Sequence, residues 1–386
     1  MSRHLLACAA LVLSACATAQ PTLPPLPRPE EVDAAAARAM AVSGAQGMAI
    51  ALIEEGQVVY VNSYGRRNAD GDPLQTDTIM YGASLTKVAF AYTVMQLVDE
   101  GVIDLDTTID HYLPKPLPEY AEQDVEDLYA RYSDLAGDER WRRITPRMLL
   151  THSSGFANFG FLEPDGRLRI HFDPGSQYSY SGDGMILLQF VLERGLGLDL
   201  GREMQRRVFD RFGMTRSSMM WRADFAGNLA DGWALDGSTL PHDERSAVRA
   251  AGSLDTTITD FAQFAAAFVR GDGLSRAARR DMARPWLPVT VASQFPVLQA
   301  ELPPYRRRAD LASGLGLITF DGPQGEGFIR GGHNDVTANI WVCVEARRRC
   351  LVVLSNDVRT EAEFAHITAA ILGETGAPWD FLYGAP

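Results

Sequence analysis

The sequence predicts an α+β fold: one antiparallel sheet built from both chain ends and flanked by helices, with an inserted, mainly helical part. Two observations lead to this prediction. Short apolar runs bounded by turn residues lie near both ends of the chain, whereas longer helical patterns fill the middle. The 386 residues, 46% hydrophobic and 22% charged, are also typical of a globular protein with a large core.

The first thirty residues resemble an export signal followed by a tether. The apolar run Leu5–Leu13 is too short to span a bilayer but has the length of a signal core. It leads to Cys16 in a segment similar to a bacterial lipobox, so residues 1–16 are predicted as a lipoprotein signal with Cys16 as the lipid anchor. The Pro-rich residues 17–30 would form the tether.

This signal predicts a lipid-anchored protein on the periplasmic side of a bacterial membrane. The alanine that follows the cysteine favours the outer membrane. The open alternative is cleavage near Ala19, within an A-x-A site, which would release a soluble periplasmic or secreted protein.

The N-terminal elements come next in order. The Ala-rich segment Glu31–Val42 predicts a helix. The apolar runs Gly47–Ile53 and Gln57–Tyr64, joined by a Glu-Glu-Gly turn, predict a hairpin. The segment Leu85–Asp99 is almost wholly apolar and stops at Gly101, which indicates a buried helix with a terminating glycine.

The middle of the chain is predicted to be mainly helical. Met185–Leu196 and Gly201–Phe212 have helical patterns, and Thr259–Val269 follows them. The charged segment Tyr120–Arg143 predicts a solvated helix over the flank of the site, and a role as a lid or partner contact is a hypothesis.

The last hundred residues return to strands. The predicted strands are Leu315–Phe320, Asn339–Val344 and Leu351–Ser355, and Glu361–Leu372 predicts the closing helix. The domain 31–376 is therefore divided into an α/β part and a mainly helical part, with a tail after it. The α/β part is 31–110 with 250–376, the helical part 111–249 and the tail 377–386.

Two cysteines flank the turn between the last two predicted strands. Cys343 and Cys350 could form a disulfide in an oxidising compartment, and two free buried thiols are the alternative. The chain has no CxxC spacing and no HExxH or P-loop motif, so we expect neither a metal nor an organic cofactor.

The charged residues bear on partners and on chemistry. The formal net charge is −13, and because nucleic-acid binders usually present a basic surface, we expect no nucleic-acid partner. Only two of the 36 lysines and arginines are lysines, Lys87 and Lys115. An ammonium can lose its proton near neutral pH, whereas a guanidinium cannot. A lysine in this chain is therefore a candidate for proton transfer.

Ser84 and Lys87 lie one turn apart at the start of the predicted buried helix. The helix N-terminus has unpaired N–H groups and the positive end of the dipole, which favour an oxyanion and a neutral amine. A serine becomes a nucleophile when a neighbouring base takes its proton. An exposed lysine one turn after a capping serine is the ordinary alternative. The apolar helix and the scarcity of lysine favour a nucleophile and its base.

Several further motifs follow in a fixed order. They are Leu149-Leu150-Thr151-His152-Ser153-Ser154-Gly155, Pro174-Gly175 before Tyr178-Ser179-Tyr180-Ser181, Gly213-Met214 and Ala251-Gly252-Ser253-Leu254. With Ser84-Leu85-Thr86-Lys87 they resemble the serine β-lactamase and penicillin-binding-protein superfamily, over about residues 31–375. The similar branch contains class C β-lactamases, D-amino-acid peptidases and family VIII esterases.

The resemblance implies a β-lactamase-like fold and assigns roles to three residues. It implies that Ser84 is the nucleophile, Lys87 its activating partner and Tyr180 a second general acid or base. A phenol acts as a base only where neighbouring cations lower its pKa. Which of Lys87 and Tyr180 takes the serine proton stays open, and His152 is interpreted as a buried structural histidine.

The sequence departs from the family pattern in two places. The family's Tyr-x-Asn is Tyr180-Ser181-Gly182 here, and the absent Asn normally contacts the lysine and the substrate's amide, which weakens the case for β-lactams and peptides. The third motif is placed at Arg330-Gly331-Gly332, with a competing register at His333.

In the favoured register Arg330 supplies positive charge, and Gly331 and Gly332 let the substrate backbone approach closely. The backbone N–H of His333 would join that of Ser84 in an oxyanion hole. In the competing register the His333 side chain would stand at the motif's cationic position.

The resemblance implies a serine hydrolase that works through an acyl-Ser84 intermediate without a cofactor. Its partner would be a small-molecule or peptide substrate: an ester, a β-lactam or a D-amino-acid peptide. The alternative is a non-hydrolytic penicillin-binding or sensor module on the same fold. The sequence leaves the oligomeric state open.

Overall fold

The computed structural model describes residues 23–120 and 129–384. Cys16 and the signal segment lie outside these residues. The described strands are β1 Gly47–Glu54, β2 Gln57–Gly65, β3 Met80–Tyr81, β4 Gly232–Trp233, β5 Thr239–Leu240, β6 Asp255–Thr256, β7 Leu287–Pro288, β8 Ala312–Ser313, β9 Ile318–Gly322, β10 Gly325–Asn334, β11 Thr337–Val344 and β12 Arg349–Ser355.

The described α-helices are distributed along the whole chain. They are α1 Pro29–Ser43, α2 Thr86–Asp99, α3 Pro146–Leu150, α4 Gly182–Phe190, α5 Leu200–Met204, α6 Ile258–Arg270, α7 Arg276–Met282, α8 Phe364–Leu372 and α9 Trp379–Tyr383. In the described part of the chain, no helix has both the length and the apolar character needed to cross a membrane.

Both chain ends build the central sheet. Its eight strands have the order β2-β1-β12-β11-β10-β9-β8-β7, with antiparallel neighbours. The N-terminal hairpin joins the C-terminal strands through β1 and β12, where Met48 lies opposite Ser355. This arrangement confirms the predicted α+β fold.

The sheet is covered on both faces, and β1 shows how. All eight of its residues are buried. Met48 and Ile50 pack with α1 and α8 on one face, while Ala49 and Ala51 pack with α2 and α6 on the other. Because successive side chains of a strand point to opposite faces, a strand between two helical layers is apolar throughout.

Cys343 and Cys350 are joined in a disulfide between β11 and β12. The two residues lie directly opposite each other in the strand register, and both are fully buried. The pairing closes the short turn that links the last two strands of the sheet.

The predicted solvated helix at Tyr120–Arg143 is wrong for its described residues. Tyr132–Leu135 and Glu139–Arg143 form short 3₁₀ turns, and Gly137 reverses the chain with a φ of +85°. The rings of Tyr120 and Tyr132 pack 4.8 Å from that of Phe190 in α4. In the described residues 129–143, the burial of Tyr132 and Trp141 outweighs the helical tendency of the neighbouring charged residues.

The ends of the described chain also pack against the domain. The carbonyl of Pro24, in the predicted tether, accepts a 2.7 Å hydrogen bond from Arg349 Nη1. In the predicted tail, α9 buries Phe381 and Leu382. Leu382 and Tyr383 of this helix line the same pocket as Ser84.

Candidate active site

Ser84 is held in a tight turn between β3 and α2. The N–H of Gly82 donates to Leu254 O at 2.8 Å, and Thr86 Oγ1 accepts from Leu254 N at 3.0 Å. Between them Ala83 has a φ of +47°, a left-handed conformation that is uncommon for a residue other than glycine. The turn presents the Ser84 hydroxyl at the N-terminal end of the buried helix.

Lys87 lies one turn further along, and its side chain is buried. Its Nζ donates to Ser84 Oγ at 2.9 Å and to the carbonyl of Ala251 at 2.5 Å. Burial disfavours the ammonium and, with the charge of Arg330, lowers the pKa of Lys87 to about 8, although the nearby Tyr180 opposes this. The side chain can therefore give up and take back a proton near neutral pH.

Tyr180 comes from the end of the loop before α4 and reaches the same hydroxyl. Its phenol oxygen lies 2.7 Å from Ser84 Oγ and accepts a 2.8 Å hydrogen bond from Arg330 Nη2. Burial alone would raise the pKa of Tyr180, but the positive charges of Arg330 and Lys87 outweigh it and lower the pKa to about 7.

The structure places the Arg330 side chain, and not that of His333, in hydrogen-bond contact with Ser84 and Tyr180. Arg330 lies in β10, and its Nε donates to the Ser84 carbonyl at 3.1 Å. Among the described strands β9 pairs with β10 only as far as Ile329, so the rest of β10 presents its edge to the Ser84 turn. A Cβ on Gly332 would lie 3.0 Å from the nitrogen of Ser84, which explains why the backbone can pass so closely there.

His333 and Gly331 lie beside this cluster. His333 Nδ1 is 2.7 Å from Glu361 Oε2. The hydrogen bond to this carboxylate raises the pKa of His333, and burial of the ring offsets only part of that rise. Its ring stacks on Phe295 at 5.8 Å. A Cβ on Gly331 would meet the Tyr383 hydroxyl.

His152 packs against the ring of Tyr180 and is hydrogen-bonded to the residue that follows it. Its Nδ1 accepts a 3.2 Å hydrogen bond from the N–H of Ser181, and its ring centroid is 4.7 Å from that of Tyr180. Burial and the charges of Arg330 and Lys87 hold the pKa of His152 well below its ordinary value. His152 is therefore buried and hydrogen-bonded, which agrees with the structural role predicted from the sequence.

A pocket of about 440 Å³ opens onto Ser84. Besides Ser84, Lys87 and Tyr180, it is lined by polar side chains such as Asn158, Arg245 and Gln294, and by apolar ones that no sequence motif indicated: Phe159, Phe295 and Leu382. They come from three separate segments, and no local pattern marks them. Within 23–120 and 129–384, no group of His, Cys, Asp and Glu side chains is arranged to hold a metal ion.

The chain was compared with known proteins. The sequence profile of the Beta-lactamase family matches residues 32–374. A lovastatin esterase of Penicillium rubens is 28% identical over 317 residues, which cover 70% of this chain and 78% of that protein. A monacolin J acid methylbutanoyltransferase of Aspergillus terreus is 28% identical over 205 residues, but the match spans only 46% of this chain and 48% of the transferase.

The fold agrees with these matches. A class C β-lactamase structure superposes with a TM-score of 0.69 at 16% identity, covering 89% of this chain and 94% of that one. The β-lactamase-like fold implied by the ordered motifs is thus confirmed, and the relatives place the chain among enzymes of hydrolysis or acyl transfer in general. Because the family profile spans nearly the whole described chain, the protein belongs to the Beta-lactamase family.

Proposed function

We propose that this protein is a serine hydrolase that forms an acyl-Ser84 intermediate and that esters are its substrates. One observation carries the proposal. The Ser84 hydroxyl lies 2.9 Å from Lys87 Nζ and 2.7 Å from the Tyr180 phenol, two groups with pKa values of about 8 and about 7. A base that titrates near neutral pH and touches the hydroxyl is what a serine nucleophile requires.

Acylation begins when the Lys87–Tyr180 pair takes the proton of Ser84. The serine oxygen attacks the ester carbonyl carbon, and the carbonyl oxygen becomes an oxyanion. We assign the backbone N–H groups of Ser84 and His333 to that oxyanion, because the β10 edge runs along the Ser84 turn. The pair then returns the proton to the departing alcohol, which leaves the acyl group on Ser84.

Deacylation repeats these steps with water. The pair takes a proton from the water, whose oxygen attacks the acyl carbon, and the proton returns to Ser84 as the C–O bond breaks. The products are the free acid and the unmodified enzyme. Arg330 takes no proton in this scheme; its charge holds the Tyr180 pKa low.

Two observations support esters over β-lactams and D-amino-acid peptides. The lovastatin esterase matches over most of its length. Position 182 is Gly where the family pattern has an Asn that contacts a substrate amide. An ester lacks that amide and loses nothing at this position.

The test is labelling followed by turnover. We expect a fluorophosphonate to add one label to the purified wild type, measured by intact mass, and none to Ser84→Ala. We expect p-nitrophenyl esters to be turned over faster than a chromogenic cephalosporin or D-Ala peptides. Label on Ser84 with no turnover of any substrate would favour the sensor alternative, and an unlabelled wild type would contradict the acyl-Ser84 proposal.

The pH dependence follows from the two shifted groups. Activity requires that Lys87 and Tyr180 together hold one titratable proton. When both groups are protonated, neither can act as the base for Ser84. When both are deprotonated, neither can donate a proton to the leaving alcohol. We therefore expect kcat/KM for an alkyl ester to peak between pH 7 and 8, falling below the Tyr180 pKa of about 7 and above the Lys87 pKa of about 8.

This profile does not depend on which group is the base, since both arrangements of the shared proton carry the same charge. The measurement is kcat/KM from pH 5 to pH 10. A p-nitrophenyl ester, whose leaving group departs without a proton, should show a weaker alkaline limb. A profile that rises steadily across the whole range with an alkyl ester would contradict the assignment.

A further inference from the structure

The Phe159 ring occupies the space that a side chain at position 182 would need. A Cβ added to Gly182 would lie 2.3 Å from Cε1 and 2.4 Å from Cζ of the Phe159 ring. Gly182 does not have a positive φ, so its backbone would accept any residue. The Phe159 ring is therefore what excludes a side chain at 182, two residues after Tyr180.

The segment that carries Phe159 is fixed on both sides of the ring. Residues 157–160 are tied to residues 181–183 by five hydrogen bonds: Ser181 Oγ to Ala157 O (2.7 Å), Gly182 N to Asn158 O (2.8 Å) and to Asn158 Oδ1 (3.0 Å), Asp183 N to Asn158 O (2.9 Å), and Gly160 N to Asp183 Oδ2 (2.6 Å). Asp183 is itself buried. The backbone on both sides of Phe159 is thus anchored, and the Phe159 side chain forms part of the wall of the Ser84 pocket.

The wall continues outward as apolar surface. Phe161 stacks on Phe159 with centroids 5.1 Å apart and planes within 15°, and 71% of Phe161 is exposed. Across the pocket, the ring of Phe295 lies 5.3 Å from that of Tyr180. Phe159 and Phe295 thus line the pocket that holds Ser84, and Phe161 extends the apolar surface of Phe159 into solvent, an arrangement suited to an apolar ligand.

We propose that Phe159 is a specificity-determining residue that binds the aliphatic chain of an ester substrate. The inference rests on the proposed esterase function and adds the substrate class: esters with an extended aliphatic chain, hydrolysed in preference to ethyl and acetyl esters. The ring acts through contact area, since a longer chain covers more of the Phe159 and Phe161 surface and removes it from water.

The test compares chain-length preference in matched variants. The acyl series is p-nitrophenyl acetate against p-nitrophenyl hexanoate, and the alcohol series is ethyl acetate against hexyl acetate. In Phe159→Ala we expect the long-to-short ratio of kcat/KM to fall about tenfold in one series, a size typical of lost apolar contacts in a pocket. The series that responds shows whether the aliphatic chain that contacts Phe159 belongs to the acyl group or to the alcohol. Tyr305→Ala, which removes an aromatic ring 86% exposed outside the pocket, should leave both ratios unchanged.

A second pair of variants tests the packing itself. Gly182→Ala should displace the Phe159 ring and lower the long-chain ratio, whereas Phe159→Ala/Gly182→Ala should be no worse than Phe159→Ala alone, because the ring that the new Cβ would strike is gone. Thermal melts and fluorophosphonate labelling establish that each variant is folded with an intact Ser84.

Two results would overturn the proposal: both ratios unchanged in labelled Phe159→Ala, or Gly182→Ala equally damaging with and without the ring. Failure of the esterase proposal is distinguishable from these results, because the wild-type protein would then take no fluorophosphonate label or hydrolyse no ester.

Discussion

Replacing Lys87 with Arg is expected to lower kcat/KM for esters by about a thousandfold or more while the protein stays folded. The substitution keeps the positive charge but removes the titration, because a guanidinium stays protonated at any pH the protein tolerates. The Lys87 ammonium is buried against Ser84 Oγ and has a pKa of about 8, so proton transfer is what the variant loses. General acid–base catalysis with an activated nucleophile accounts for a loss of this size.

The chain offers a matched control for this experiment. Lys115 is the only other lysine, and its Nζ lies 4.5 Å from the centre of the Tyr120 ring, outside the pocket. Lys115→Arg makes the same chemical change and should keep kcat/KM within about twofold of wild type. Kinetics and thermal melts are measured on both variants.

Because Arg is larger than Lys and position 87 is buried, a loss of activity in Lys87→Arg could also come from disturbed packing. A second variant separates the two causes. Lys87→Met has a similar length, carries no charge and suits the buried, apolar helix, and it should be equally inactive. If folded Lys87→Arg were within a few-fold of wild type, Lys87 could not be the proton-transfer group.

Replacing Arg330 with Met is expected to lower activity at pH 7 by about a hundredfold and to move the acidic limb of the pH profile upward. Arg330 Nη2 donates to the Tyr180 phenol at 2.8 Å, and the charge of Arg330 is the largest cause lowering that pKa. Without it, burial dominates and the Tyr180 pKa rises. A phenol that holds its proton at pH 7 can no longer share one with Lys87, so the active protonation state forms only at higher pH.

Arg330→Lys is the control that separates charge from geometry. It keeps a cation at the phenol but loses the guanidinium fork, whose Nε donates to the Ser84 carbonyl at 3.1 Å. We expect Arg330→Lys to retain activity within about tenfold of wild type, with the acidic limb close to its wild-type position. The measurements are kcat/KM profiles of both variants. An unmoved limb in Arg330→Met, or a collapse of Arg330→Lys as deep as that of Ser84→Ala, would contradict the role assigned to this charge.

Parts of the fold and site were predictable because they depend on neighbouring residues. The apolar run of α2 with its terminating glycine, and the strands at both chain ends, follow from short-range periodicity. Ser84 and Lys87 face each other because positions three apart in a helix share a face. The resemblance added Tyr180 and Arg330, and the structure brings both to Ser84.

Other parts could not be predicted because distant residues decide them. The charged composition of Tyr120–Arg143 suggested a solvated helix, but the rings of Tyr120 and Tyr132 pack on Phe190, which no local pattern indicates. The register of the third motif was open until the pairing of β10 with β11 placed Arg330 beside Tyr180. Phe159 had no signal at all, because its importance comes from contact with Gly182.

The amino-acid order alone shows which reactive groups are available: a serine and a scarce lysine on one helix face, with positive charge elsewhere supplied almost entirely by arginine. What those groups do depends on how distant segments of the chain pack together. Tyr180 and Arg330 lie 96 and 246 residues from Ser84 along the chain, and their meeting requires the sheet and the helical part to pack together. The pKa shifts and the apolar wall follow from that packing, because burial and contacts between distant charges exist only once the chain has folded.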